Sequence, residues 1–183
     1  MLKIPQQYSS LEYIEPIKWE NIFAKWREGE AWQECWKKHW KERGFKSWDE
    51  WRKAYAAPLK PETLEWFLYR IKDPLKDLPL FYGAPSHSWV EKAYGGKVTK
   101  QLKDITDLPI ISENSKVLDI KKDFPEKTML TGIIHEDKIV LVEGMHRASA
   151  LASWNPKVSL KSDVTLALAK WENEIPKIGG NIK

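Results

Sequence analysis

The chain of 183 residues contains a single cysteine, Cys35. One thiol excludes an intrachain disulfide and a cysteine-built metal cluster. Long apolar runs are missing as well: nowhere do about eighteen apolar residues follow one another, and residues 1–10 hold no apolar core of the kind that marks a secretory leader. These features predict no membrane-spanning or targeting segment, with a cytoplasmic location as the default. Histidine is also scarce, and no two of the four His stand at the i, i+4 spacing of a helical metal-ligand pair.

Tryptophan, in contrast, is abundant. Eight of the eleven Trp lie between Trp19 and Trp66, so the aromatic surplus belongs to the first third of the chain. Hydrophobic residues at 42% and charged residues at 31% are ordinary for a folded protein and exclude wholesale disorder. The formal charge of +4 is matched by one segment, Lys37 to Lys53, which carries seven cations against three anions. A basic, Trp-rich helix could meet the phosphates and bases of a nucleic acid. It could equally be the solvated face of a helix whose other side is core. Burial of Trp32, Trp36, Trp40, Trp48 and Trp51 separates the two.

Periodicity predicts helix from Lys18 to Arg43. The stripes Trp19–Phe23–Trp26 and Trp32–Trp36–Trp40 do not coincide at about 100° per residue, which predicts a break near Gly29. Ser47-x-x-Glu50 is a capping-box pattern opening a helix with Trp48, Trp51 and Tyr55 on one side. Pro61 suits a helix first turn, with Leu64, Phe67, Leu68 and Ile71 spaced for burial, so residues 18–72 read as a helical array. Ser88-x-x-Glu91 predicts another short helix, ending at Gly95-Gly96, and Thr99 a cap for one more through Ile105.

From Val117 the pattern turns to strands: Val117–Ile120, Met129–Ile134 and Ile139–Val142. The last two form a hairpin across His135-Glu136-Asp137-Lys138. Val158, Leu160, Val164, Leu166 and Leu168 predict one bent strand or two, and the segment from Ile175 a frayed tail.

The chemistry concentrates at Glu143-Gly144-Met145-His146-Arg147, where an apolar strand passes through one glycine into a helix. Such a junction leaves backbone N–H groups unpaired at the helix start, which favours an anion. Gly144 lets a phosphate approach the backbone, and Arg147 adds a fixed, always charged fork. His146 can donate a hydrogen bond. Glu143 beside a phosphate must bind Mg²⁺, accept a proton from an attacking hydroxyl, or point away. In the bland alternative Glu143 caps its own helix and Arg147 makes a structural ion pair. Ser86 and His87, in the polar loop Gly83–Ser88, are candidates for a lid or second wall of the site, with a plain connector as the alternative.

The segment Glu143-Gly144-Met145-His146-Arg147-Ala148-Ser149-Ala150 resembles the Asp-Gly-His-His-Arg-x-x-Ala type of motif in the ParB/sulfiredoxin superfamily, which includes ParB-like proteins, sulfiredoxin and an archaeal free serine kinase. The similarity covers roughly 25 residues, including the preceding hairpin. It implies that Gly144, Met145, His146 and Arg147 bind nucleotide phosphates and that Glu143 is a catalytic or Mg²⁺-binding residue of a phosphotransferase or nucleotide hydrolase using ATP, ADP or CTP. Met145 stands where sulfiredoxin has its nucleophilic cysteine, so sulfiredoxin activity is not expected. Nor is chromosome partitioning, because too little chain follows residue 152 for the expected helix-turn-helix domain.

The resulting expectation is an α+β protein: a helical Trp-rich region (1–75), a ParB/sulfiredoxin-like domain with a small mixed sheet (76–175) and a flexible tail (176–183). The expected ligand is a nucleotide or small phosphorylated molecule, with nucleic acid as the alternative partner.

Overall fold

The computed structural model describes residues 1–179. In chain order the elements are β1 (Leu11–Ile17), α1 (Trp19–Glu30), α2 (Glu34–Glu42), α3 (Trp48–Ala56), β2 (Trp66–Ile71), α4 (Pro74–Asp77), α5 (His87–Ala93), α6 (Pro109–Ser112), α7 (Ser115–Lys122), β3 (Lys127–His135), β4 (Lys138–Glu143), α8 (Met145–Ala152) and β5 (Asp163–Lys170). The strands form one five-stranded mixed sheet in the order β1-β2-β5-β3-β4. β3 and β5 are parallel, and the other pairings are antiparallel. A parallel neighbour demands a crossover, and the return through β4 and α8 supplies it. The α+β class is therefore correct.

Alternation along the strands gives the sheet two buried faces. Val164, Leu166 and Leu168 of β5 join Leu130, Ile134, Leu141 and the α8 residues Met145, Ala148 and Leu151 on one side. On the other, the small Ala167 and Ala169 lie under Trp19, Trp26, Trp48, Trp51 and Trp66. Small sheet residues leave room for the large indoles of this layer. The Trp surplus thus builds a second core. Within it Trp19 makes edge contact with Trp26 and stacks on Trp66, at centroid distances of 5.1 and 5.6 Å.

The helical break is present: α1 ends at Glu30 and α2 begins at Glu34. Ser47 caps α3 by accepting from the Glu50 N–H, while Glu50 accepts from the Lys46 N–H, one residue earlier than the expected box. The hairpin β3–β4 also forms as expected, with Glu136 at φ 54° in its turn.

Several expectations need correction. Residues 18–72 are not all helical, because Trp66–Ile71 is strand β2, flanked by the unexpected edge strand β1 and by β5. The spacing Leu64–Phe67–Leu68–Ile71 fits a helix, yet pairing on both sides of this aromatic stretch prevails over periodicity. The strands on either side of residue 75 consequently share one sheet. Val117–Ile120 belongs to helix α7, whose first amides are capped by the Asn114 side chain. A short apolar run is ambiguous by periodicity, and the cap decides it. Val158 is exposed and lies before β5, which starts at Asp163. Ser86, not Ser88, precedes α5, and Thr99 donates to the Gly83 carbonyl instead of capping a helix. The expected frayed tail is tied down as far as Gly179: Ile178 is buried and exchanges backbone hydrogen bonds with Pro85 and His87. The remainder of that tail, residues 180–183, falls outside the described residues.

Among the described residues no helix is long and apolar enough to cross a membrane.

Candidate functional site

A bulge positions the end of β4. Thr131 pairs with Glu143 and Gly132 with Leu141, leaving Val142 extra. The Val142 carbonyl accepts from the Tyr55 hydroxyl at 2.8 Å, so α3 on one face of the sheet holds the strand end that leads into α8 on the other. Thr131 accepts from the Trp26 indole N–H at 2.9 Å, adding a link to α1.

Gly144 then turns the chain with φ 91°. A Cβ there would lie 2.4 Å from the Leu130 side chain, so both the left-handed conformation and the close approach require glycine. The N–H groups of Met145, His146 and Arg147 find no acceptor among the described residues. The expected unpaired helix start is therefore in place, and its neighbours determine what it can hold.

Glu143 is 6% exposed. Its Oε1 accepts from Arg147 Nη2 at 2.5 Å, while Oε2 is buried without a hydrogen-bond partner. Burial raises its pKa, opposed by the Arg147 charge. The second guanidinium nitrogen of Arg147 donates to Thr128 Oγ1 at 2.5 Å. Arg147 thus makes the internal ion pair of the bland alternative, yet it retains partial exposure, with 26% of its side chain accessible. Met145 is buried in the core beneath the sheet, so its side chain does not face the turn.

His146 meets two indoles, with ring centroids 6.4 Å from Trp36 and 5.9 Å from Trp89. Burial, followed by the nearby Lys116 charge, pushes its pKa down to about 4, so the ring is neutral at pH 7. His39, against Trp51 at 5.0 Å, is pushed down to about 4 by burial and then by Arg43. The wall over the α8 start is therefore aromatic and comes from α2, α3 and α5.

Ser86 and His87 are not the part of their loop that reaches this wall. Ser86 is buried in a bridge to Ile178, and His87 is exposed. Tyr94 and Thr99 pin the loop by donating to the Ala84 and Gly83 carbonyls. Trp89, two residues beyond His87, makes the contact to His146 instead.

Sequence reasoning missed three further residues, Glu30, Arg52 and Lys116. Glu30 and Arg52 form a buried ion pair, with Arg52 Nε donating to Glu30 Oε2 at 2.7 Å, and the Trp48 indole N–H donates to the same oxygen at 3.1 Å. The Arg52 guanidinium lies over Trp51 and Tyr55, at 4.4 and 4.7 Å. Lys116, near the start of α7, holds its ammonium 3.6 Å over the Trp36 ring. The available signal was an acid, Glu30, continuing the apolar stripe Ile22–Phe23–Trp26, and a cation, Arg52, inside the Trp48–Trp51–Tyr55 helix.

The burial test of the Trp-rich segment divides its members. Trp48 and Trp51 are core, Trp36 and Trp40 are half-buried, and Trp32 is 69% exposed. Among the described residues no group of three or more His, Cys, Asp or Glu is arranged to hold a metal ion.

Comparison with known proteins finds no matching family model, no similar curated protein and no solved structure that matches this chain.

Proposed function

We propose that this chain binds the phosphates of a nucleotide at the first turn of α8, and that the site serves a phosphotransferase or nucleotide hydrolase. The observation that carries this reading is the buried Glu143 carboxylate with an unpartnered oxygen, set beside unaccepted amides and the Arg147 fork. Buried polar atoms are normally satisfied, and an exception calls for an explanation. An arriving phosphate competes with Glu143 for Arg147, accepts from the amides of Met145 to Arg147, and frees the carboxylate. A carboxylate whose pKa is raised by burial suits a general base: it takes the proton of a hydroxyl or water as that oxygen attacks the terminal phosphorus and the leaving phosphate oxygen departs.

Mg²⁺ fits this site only as a partner of bound phosphates, since it accepts one or two carboxylates with phosphate and water making up the rest, and Glu143 Oε2 is one such donor. Bound there, the ion would neutralise phosphate charge. The resemblance to ParB/sulfiredoxin proteins supports the same assignment through the Gly144–Arg147 motif.

Calorimetry with ATP, ADP and CTP in the presence of Mg²⁺ tests the reading. Wild-type protein releases binding heat, Arg147→Ala loses it, and Glu143→Gln retains binding while losing phosphate transfer. No heat from the wild type sinks the proposal. The nucleic-acid alternative rests on the exposed Trp32 and the cations of α2 and predicts oligonucleotide binding that weakens steeply with salt.

A further inference from the structure

The His146 ring is met by groups that a simple structural helix start does not need. Lys116 has no carboxylate partner among the described residues within 4.0 Å, and its ammonium rests on an indole instead. Trp36 stacks on Trp51 at 5.6 Å and 30°, with the Arg52 guanidinium 5.9 Å and the Lys116 ammonium 3.6 Å from its ring centre. Withdrawal of Lys116 would uncover the part of the half-buried Trp36 ring that it now covers. Trp36 and Trp89 both reach His146, the residue between two unaccepted amides of the α8 start. An unpaired cation, an indole and an anion-favouring backbone turn thus adjoin one another, on three separate elements.

We infer that Lys116 and Trp36 are the second half of the nucleotide site: Lys116 leaves the indole to bind a phosphate, and the ring face it vacates stacks the base. The inference rests on the phosphate-binding reading of Gly144 to Arg147 and adds to it the residues that distinguish a nucleotide from free phosphate. An ammonium on an indole face is held by an attraction weak enough at a partly exposed site for a dianionic phosphate to outcompete it. A planar base replacing it regains the aromatic contact, which is tolerant of base identity. A ligand with both a flat ring and adjacent phosphates fits, whereas inorganic phosphate uses only one part.

The test is calorimetry of the whole chain with ADP and with pyrophosphate as separate probes. Lys116→Met weakens both by about tenfold, as expected for one charged hydrogen bond, and Lys116→Arg restores most of the loss. Trp36→Leu weakens ADP by at least about fivefold and leaves pyrophosphate within twofold of wild type. Circular dichroism of each variant confirms folding, and Lys116→Met, at a partly exposed side chain without hydrogen bonds, serves if Trp36→Leu fails to fold. Unchanged ADP and pyrophosphate affinity in Lys116→Met, with binding lost in Arg147→Ala, overturns the role of Lys116 and leaves the α8 site standing. Wild-type protein that binds neither probe overturns both.

Discussion

Replacing Arg52 by Met tests how the two layers around the site are joined. Arg52 and Glu30 expose 7% and 10% of their side chains, and the pair connects α3 to α1. Without the guanidinium, Glu30 keeps only the Trp48 indole N–H at 3.1 Å and stays buried as an uncompensated charge. Removing one partner of such a pair costs about 3–5 kcal/mol. Methionine recovers some packing against Trp51 and Tyr55 but not the attraction of a cation to their rings. For a chain of this size the loss lowers Tm by roughly 10 °C. The double variant Glu30→Met, Arg52→Met removes both charges and should regain more than half of the loss, since an apolar pair of similar volume is often as stable as the ion pair. Thermal and urea denaturation of the two single variants and the double variant gives the cycle. A loss below about 1 kcal/mol in Arg52→Met, or a double variant no more stable than the singles, would refute the reasoning.

Three further outcomes are expected. Gly144→Ala destabilises by about 2–3 kcal/mol in urea titration, from the left-handed backbone and the displaced Leu130. Thr131→Val strands the Trp26 N–H and costs about 1–2 kcal/mol by thermal melt. His146 has a folded-state pKa lowered to about 4, so the unfolded chain binds a proton below pH 6.5 that the folded chain refuses until about pH 4. Its contribution is therefore present above pH 6.5 and lost as pH falls through that window, by on the order of 2 kcal/mol at pH 5. Stability measured from pH 7 to pH 5 should fall less steeply in His146→Phe, and an unchanged slope would contradict the neutral buried ring.

The parts of this fold that were legible in the sequence are those set by local rules. The Ser47 cap, the β3–β4 hairpin and the Gly144 junction each follow from residues within a few positions of one another. Most of what escaped depends on partners far along the chain. Trp66–Ile71 is a strand because β1 and β5 flank it, and Ile178 is buried because Pro85 and His87 receive it. Val117–Ile120 is helical through a nearby cap, Asn114, which lies just outside the apolar run. At the site, Glu143 to Arg147 were visible as a motif. Lys116, Trp36 and Trp89 were not, since nothing local tells that α2, α5 and α7 converge on His146.

The amides at the start of α8 can be observed directly. In a ¹H–¹⁵N correlation spectrum of the uniformly labelled chain, titration with pyrophosphate should shift the Met145, His146 and Arg147 amide signals downfield in a saturable way, with Gly144 following. Saturable shifts confined to other residues, or none at these amides, would contradict a phosphate site at the Gly144 turn.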